Sequence, residues 1–144
     1  MSTSPLIGRV ARVVTASSRA AAGVYPDRGG ALVVATLREW GMEVPESEVV
    51  PDGPEVAAAI ARALAAAPHL LLTTGGTGLT PTDGTPDATR PFLTTEVPGI
   101  PESIRAAGVA KGVPTAALSR GIAGLAGRIP HKIAMEIALL CRTI

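Results

Sequence analysis

The sequence is poor in the residues that mark several classes of protein. It contains one cysteine, Cys141, and two distant histidines, His69 and His131. A single cysteine excludes an internal disulfide, and isolated histidines argue against a Cys/His metal site. No apolar run approaches the roughly 20 residues of a membrane-spanning helix. The N-terminus lacks the cationic start and apolar centre of a signal peptide. We therefore expect a cytoplasmic chain that does not enter a membrane.

Charge of one sign and aromatic residues are also scarce. The formal net charge is +1 and the charged residues are scattered singly, so no basic face predicts nucleic-acid binding. Only Tyr25, Trp40 and Phe92 are aromatic, whereas 25 residues are alanine. We expect a closely packed aliphatic core of helices lying on a sheet. A length of 144 residues fits a single domain, residues 1–144.

Strand and helix patterns alternate through the first half of the chain. Apolar runs that predict buried strands occupy 10–16, 48–51 and 69–74. The 3.6-residue spacing of Val33, Leu37 and Trp40 predicts a helix that begins after Asp27, and a second helix runs from 54 to 67. Such long crossovers imply parallel strands. We predict an α/β fold: a three-layer domain with a mostly parallel sheet and helices on both faces.

The second half is less regular. Pro91 and Pro98 divide it into short helical pieces, of which "PESIRAAG" is the better, and glycines interrupt residues 121–127. Apolar residues again follow helical spacing after Pro130, which predicts a C-terminal helix; they are Ile133, Ile137, Leu140 and Ile144.

The stretch "TTGGTGLTPTDGTP", residues 73–86, is a loop at the end of a predicted buried strand. Ligands of open α/β sheets bind at such strand ends. Gly75, Gly76 and Gly78 allow backbone amides to converge on an oxyanion, and threonines 77, 80 and 85 add hydroxyl donors. The loop fits neither common nucleotide motif, because residues 52–99 contain no lysine and Pro81 replaces the third glycine. The alternative reading is a structural turn.

Two aspartates follow strand ends in this region. Asp83 lies in the loop, and Asp52 follows the neighbouring predicted strand. A carboxylate beside a phosphate-binding loop repels the ligand unless a cation lies between them, so the pair suggests Mg²⁺. Asx-turns before Gly53 and Gly84 explain the same residues equally well.

The segment "TTGGTGLTPTDGTPDAT" resembles the molybdopterin-binding loop of the MoaB/Mog family, the molybdopterin adenylyltransferases of molybdenum cofactor biosynthesis. Three further stretches agree with the family in order and spacing: "TASSRAAAGVYPDRGG", "VVPD" and "PTAALSRGIAGLAGR". The resemblance implies a molybdopterin-binding-domain-like fold. It also implies that, with Mg²⁺ present, the terminal phosphate of molybdopterin attacks the α-phosphate of ATP, which gives adenylyl-molybdopterin and pyrophosphate.

Site residues follow from the same resemblance. Asp52 and Asp83 match the two catalytic aspartates, which we also take as the metal ligands. Residues that match the pterin site or the loops lining it are Ser17, Asp27, Gly75, Gly76, Thr77, Gly78, Thr85, Ser119 and Arg120, with Arg19 beside them. Arg19 and Arg120 read equally well as surface charges, and Asp27 as a helix cap. The family implies a homotrimer. Alternatives are a module that binds molybdopterin without catalysis and a generic nucleotide-binding domain.

The chain departs from the family pattern after Arg128. The family continues with an apolar strand and a turn before its last helix, whereas residues 129–140 here match that helix directly. Either the protein lacks the strand, or residues are missing from the sequence between Arg128 and Ile129. We favour the second, because loss of a buried parallel strand would disrupt a small core.

Overall fold

Strands and helices alternate along much of the chain. A computed structural model describes residues 5–127 and 135–138. The elements in chain order are β1 (Ala11–Ala16), α1 (Ser18–Ala21), α2 (Arg28–Glu39), β2 (Glu48–Val50), α3 (Pro54–Ala65), β3 (Leu70–Thr74), α4 (Thr85–Thr89), β4 (Leu93–Glu96), α5 (Gly99–Ala110), β5 (Ala123–Ala126) and β6 (Met135–Ala138). Two 3₁₀ helices, Arg90–Phe92 and Pro114–Leu118, flank β4 and α5. The predicted strands and helices of the first half are confirmed.

The strands of the described ranges form one six-stranded sheet in the order β2-β1-β3-β6-β5-β4. The pairs β1 with β2, β1 with β3, and β3 with β6 are parallel. The pairs β4 with β5 and β5 with β6 are antiparallel. The α/β class with a mostly parallel sheet is confirmed, although β4 and β5 were not predicted.

The predicted C-terminal helix is wrong over Met135–Ala138. These residues are β6, which pairs Leu70 with Met135 on one side and Ala123 with Ile137 on the other. Without a strand in this position, the edge of β3 would leave its backbone groups unpaired inside the sheet, which is costly. The remaining residues of the predicted helix, and the junction between Arg128 and Ile129, lie outside the described ranges.

Apolar side chains pack on both faces of the sheet, so the molecule has three layers. On one face, α2 places Val34 and Leu37 against Val13. On the other, α3 places Val56 and Ile60 against residues of β1, β2 and β3. Burying each such side chain stabilises the fold by about 1.5–3 kcal/mol. Trp40, expected on the apolar face of α2, is instead 54% exposed at the C-cap.

The carboxyl ends of β1, β2 and β3 lie side by side. Ala16 pairs with Val50, and Thr15 pairs with Thr74. The segments that follow these strands therefore begin at the same edge of the sheet. No helix within residues 5–127 has the length and hydropathy needed to cross a membrane.

Candidate functional site

The glycine-rich loop turns sharply at the end of β3. Gly75 and Gly76 have φ angles of 88° and 62°, in the left-handed region that favours glycine. A Cβ at Gly75 would lie 2.1 Å from the carbonyl oxygen of Ala16, and one at Gly76 would lie 2.3 Å from Thr85 Oγ1. Only glycine therefore lets the loop cross this close to the end of β1 and to α4.

Several polar groups of the loop have no hydrogen-bond partner among the residues that the structure describes. Among the described residues, the backbone amides of Gly76 and Thr77 donate no hydrogen bond. The hydroxyls of Thr77 and Thr85 are buried, each residue being 1% exposed, and they too have no partner there. Buried polar groups are normally hydrogen-bonded, so unpaired ones point to a missing ligand or water. The amides and hydroxyls are suited to holding an anion.

Asp83 is fixed by the loop in which it lies. The backbone amide and hydroxyl of Thr80 donate to Asp83 Oδ2 at 2.9 and 2.6 Å. Hydrogen bonds from Thr80, first from its side chain and then from its backbone, lower the pKa of Asp83. The Gly78 backbone and the Arg120 charge make smaller contributions in the same direction. The carboxylate is therefore ionised at neutral pH.

Asp52 approaches the same loop from the end of β2. Its Oδ2 accepts hydrogen bonds from the amide and hydroxyl of Ser18. Its Oδ1 lies 3.3 Å from the position that a Cβ at Gly76 would take. Asp52 thus faces the loop at Gly76, while Asp83 lies beside Gly78.

Two cavities adjoin along the loop. The first, about 390 Å³, is lined by residues 74–80, Asp83, Thr115, Leu118 and Ser119. The second, about 510 Å³, is lined by residues 15–20, 25–29, Asp52, residues 74–76 and Asp83. Asp52 and Asp83 therefore share one cavity, and Asp83 borders both.

Arg120 forms hydrogen bonds with the loop and does not line either cavity. Its guanidinium donates to the carbonyl of Gly78 at 3.1 Å, to the carbonyl of Asp83 and to both carboxylate oxygens of Asp87. Its backbone amide donates to the carbonyl oxygen of Thr77 at 2.9 Å. The hydrogen bond with Asp87 raises the pKa of Arg120 and lowers that of Asp87. These contacts direct the Arg120 guanidinium to the loop and to α4.

Three other predicted residues line the cavities, and they differ in the hydrogen bonds that they already make. Asp27 caps α2 and accepts from Gly30, Thr15 and Ser47, so both its oxygens are occupied. Ser17 caps α1 and contacts Tyr25, whose ring lies under Arg19. Ser119 lines the first cavity, and its hydroxyl accepts from Gly121.

The sequence analysis missed several residues that line the two cavities. Leu79 and Leu118 are 66% and 55% exposed and give the first cavity apolar walls. Arg28 brings a second positive charge to the other cavity beside Arg19. A leucine inside a glycine- and threonine-rich loop was a usable clue, whereas the contact between Ser18 and Asp52 depends on strand pairing.

Comparison with known proteins identifies the family of the chain. Residues 12–140 match the family described as "Probable molybdopterin binding domain". The chain is 35% identical over 156 residues to the molybdenum cofactor biosynthesis bifunctional protein of Synechococcus elongatus, covering 92% of this chain and 49% of that protein. It is 37% identical over 118 residues to the molybdopterin adenylyltransferase of Escherichia coli, covering 76% of this chain and 58% of that protein.

A solved structure of this family has the same fold. The molybdopterin biosynthesis Mog protein of Mycobacterium ulcerans superposes with a TM-score of 0.82 at 41% identity, covering 92% of this chain and 84% of that one. The chain spans about half the length of the curated relatives that it matches. Because the family match extends over nearly the whole sequence, this chain belongs to the molybdopterin-binding domain family, to which MoaB and Mog proteins belong.

Proposed function

We propose that the protein transfers an adenylyl group from ATP to the terminal phosphate of molybdopterin, a step of molybdenum cofactor biosynthesis. A new bond forms between the terminal phosphate oxygen and the α-phosphorus, and the bond to the β-phosphate breaks. The products are adenylyl-molybdopterin and pyrophosphate. The observation that carries the proposal is the placement of Asp52 and Asp83 in one cavity, against a loop whose amides at Gly76 and Thr77 donate to no described residue.

The loop supplies the groups that a phosphate requires. The amides of Gly76 and Thr77 are unbonded among the described residues, and they adjoin the unpaired Thr77 and Thr85 hydroxyls. The first cavity adds apolar walls at Leu79 and Leu118, which suit a flat ring system such as a pterin. The second cavity carries Arg19 and Arg28, which favour a polyanion such as ATP.

The donor set fits Mg²⁺. This ion takes one or two carboxylates together with substrate phosphate oxygens, and no group of three His, Cys, Asp or Glu side chains exists within the described ranges to hold a fully protein-bound metal. Asp52 and Asp83 would be its ligands. When bound, the ion supplies neutralisation of phosphate charge.

The chain itself does the positioning. Transfer between phosphates needs alignment and charge stabilisation more than a nucleophilic side chain. The loop amides hold one phosphate, Asp52 and Asp83 fix the polar end of the cavity, and Arg120 keeps the loop in place.

We also propose that the protein is a homotrimer, because the family resemblance implies one. Sedimentation equilibrium tests this oligomeric state.

The test is an assay with molybdopterin, MgATP and pyrophosphatase. We expect pterin-dependent phosphate release together with an adenylylated pterin. Asp52→Asn and Asp83→Asn should each lower kcat by about a hundredfold or more, as the loss of a charge-stabilising group does. Glu102→Gln, an exposed carboxylate on α5, is the matched control.

Two other outcomes would point elsewhere. Tight binding of molybdopterin without product, in wild type and variants alike, identifies a binding module. Binding of ATP without binding of molybdopterin identifies a nucleotide-binding domain and rejects the proposal.

A further inference from the structure

Ser18 and Asp52 lie at matching positions just beyond the ends of two neighbouring strands. Ala16 of β1 pairs with Val50 of β2, and the amide of Ser17 donates to Val50 at 2.9 Å. Ser18 and Asp52 each lie two residues beyond this pair. The parallel ladder therefore brings the first residue of α1 against a carboxylate that faces the loop.

Three hydrogen bonds join the two residues. Ser18 donates from its amide at 3.0 Å and from its hydroxyl at 2.8 Å to Asp52 Oδ2. The amide of Asp52 donates to the same hydroxyl at 3.1 Å. Because the hydroxyl oxygen accepts from this amide, its own hydrogen is directed to Oδ2. One carboxylate oxygen is thereby occupied, and Oδ1 accepts no hydrogen bond from any described residue.

We propose that Ser18 is a positioning residue that directs Asp52 Oδ1 toward the loop at Gly76. The inference rests on the proposed function, in which Asp52 acts on the phosphates or their cation. Occupation of Oδ2 leaves a single oxygen for that role and fixes the carboxylate rotation. A carboxylate free to rotate would spend part of its time in unproductive orientations.

The hydroxyl of Ser18 has no role in capping its own helix. Ser17 is the N-cap of α1, and its hydroxyl accepts from the amide of Ala20 at 3.2 Å. Replacement of Ser18 therefore leaves the cap intact. A helix-stabilising role would affect folding, whereas a positioning role affects turnover.

The experiment compares Ser18→Ala, Ser18→Thr and Ser18→Pro with Ser103→Ala, whose hydroxyl donates to a carbonyl within α5. Proline removes both donors yet suits the first position of a helix, and Ser17 has the extended conformation required before proline. We expect Ser18→Ala to lower kcat about tenfold, since a hydrogen bond to a charged group is lost, and to change the KM for molybdopterin by less than about twofold. Ser18→Pro should lower kcat further, Ser18→Thr should restore it, and Tm should match that of Ser103→Ala.

A double-mutant cycle identifies the route of the effect. If Ser18 acts through Asp52, Ser18→Ala should have no further effect on kcat in an Asp52→Asn background. A wild-type kcat in Ser18→Ala, an undiminished effect in that background, or a loss that tracks Tm and is not rescued by threonine would overturn the inference.

Failure of the proposed function is distinguishable from failure of this inference. A wild-type protein that forms no adenylylated pterin rejects the function alone. Crystal structures of wild type and Ser18→Pro then decide the positioning role without any assay. We expect the Asp52 carboxylate to rotate away from Gly76 in the variant, and an unchanged rotamer would reject the role.

Discussion

Gly75 is the residue at which the glycine-rich loop passes close to the end of β1. Its φ of 88° disfavours any side chain, and an added Cβ would lie 2.1 Å from the carbonyl oxygen of Ala16. That oxygen belongs to β1, which is paired on both sides by β2 and β3, so the sheet resists its displacement. A methyl group at this position must therefore displace the loop that carries Gly76 and Thr77.

Gly75→Ala should lower the free energy of unfolding by about 2 kcal/mol or more, because left-handed strain adds to the collision. Gly84, nine residues later, is the control: its φ is −112° and nothing lies within 4 Å of an added Cβ. Gly84→Ala should change stability by less than about 1 kcal/mol. Urea unfolding measures both variants, and equal costs would contradict the steric argument.

At the scale of elements, the Arg120 side chain holds the segment from Gly78 to Asp87 in place. Arg120 follows the 3₁₀ helix Pro114–Leu118 and contacts the loop at Gly78, Asp83 and Asp87. A guanidinium suits this task because it presents several donors in a fixed plane. The α4 helix is only five residues long, so it depends on such contacts for its position.

The contact between Arg120 and Asp87 predicts a dependence of stability on pH. The hydrogen bond from Arg120 lowers the pKa of Asp87. A carboxylate with a lowered folded-state pKa adds stability that is fully present above its unfolded pKa of about 3.9 and is lost as the pH falls through the lowered value. The urea midpoint of wild type should exceed that of Asp87→Asn at neutral pH, and the gap should close below about pH 4. A gap that stays constant into acid would contradict this assignment.

Elements differ in how far the sequence predicts them. The strands β1 and β3 and the helices α2 and α3 have apolar patterns that match their burial, so periodicity identified them. The strand β4 reads Leu-Thr-Thr-Glu, with its last three residues exposed, and β5 contains Gly124, so neither has a strand pattern. The segment Met135–Ala138 contains Ile137, one of the apolar residues at helical spacing that predicted a helix, but pairing with β3 and β5 makes it a strand.

The candidate site was predictable in part for the same reason. The Gly-Gly-Thr-Gly loop and the two aspartates follow strands whose ends the pattern located. The partners of Asp52 and the acceptors of Arg120 depend on the strand register and on a contact between residues 42 positions apart. No local pattern encodes such contacts.

For the molecule as a whole, β1 joins the two core faces to the site. Val13 packs beneath α2, the adjacent Val14 packs beneath α3, and the same strand ends at Ala16, directly before Ser17. Loosening either face should therefore disturb the strand ends that carry the site. The aliphatic composition makes this core sensitive to small changes in volume, because few large side chains are present to fill a gap.

Leu37 and Leu32 provide a matched test of that sensitivity within one helix. Both lie on α2, but Leu37 is 2% exposed in the cluster with Val13, whereas Leu32 is 49% exposed. Leu37→Ala should lower the free energy of unfolding by about 2–5 kcal/mol through lost burial and the remaining cavity. Leu32→Ala should lower it by less than about 1 kcal/mol if that face meets only solvent. Urea unfolding of the two variants at several protein concentrations measures both losses of stability. A large, concentration-dependent loss in Leu32→Ala would mean that a second copy of the chain covers α2. A small loss in Leu37→Ala would contradict the packing of the core.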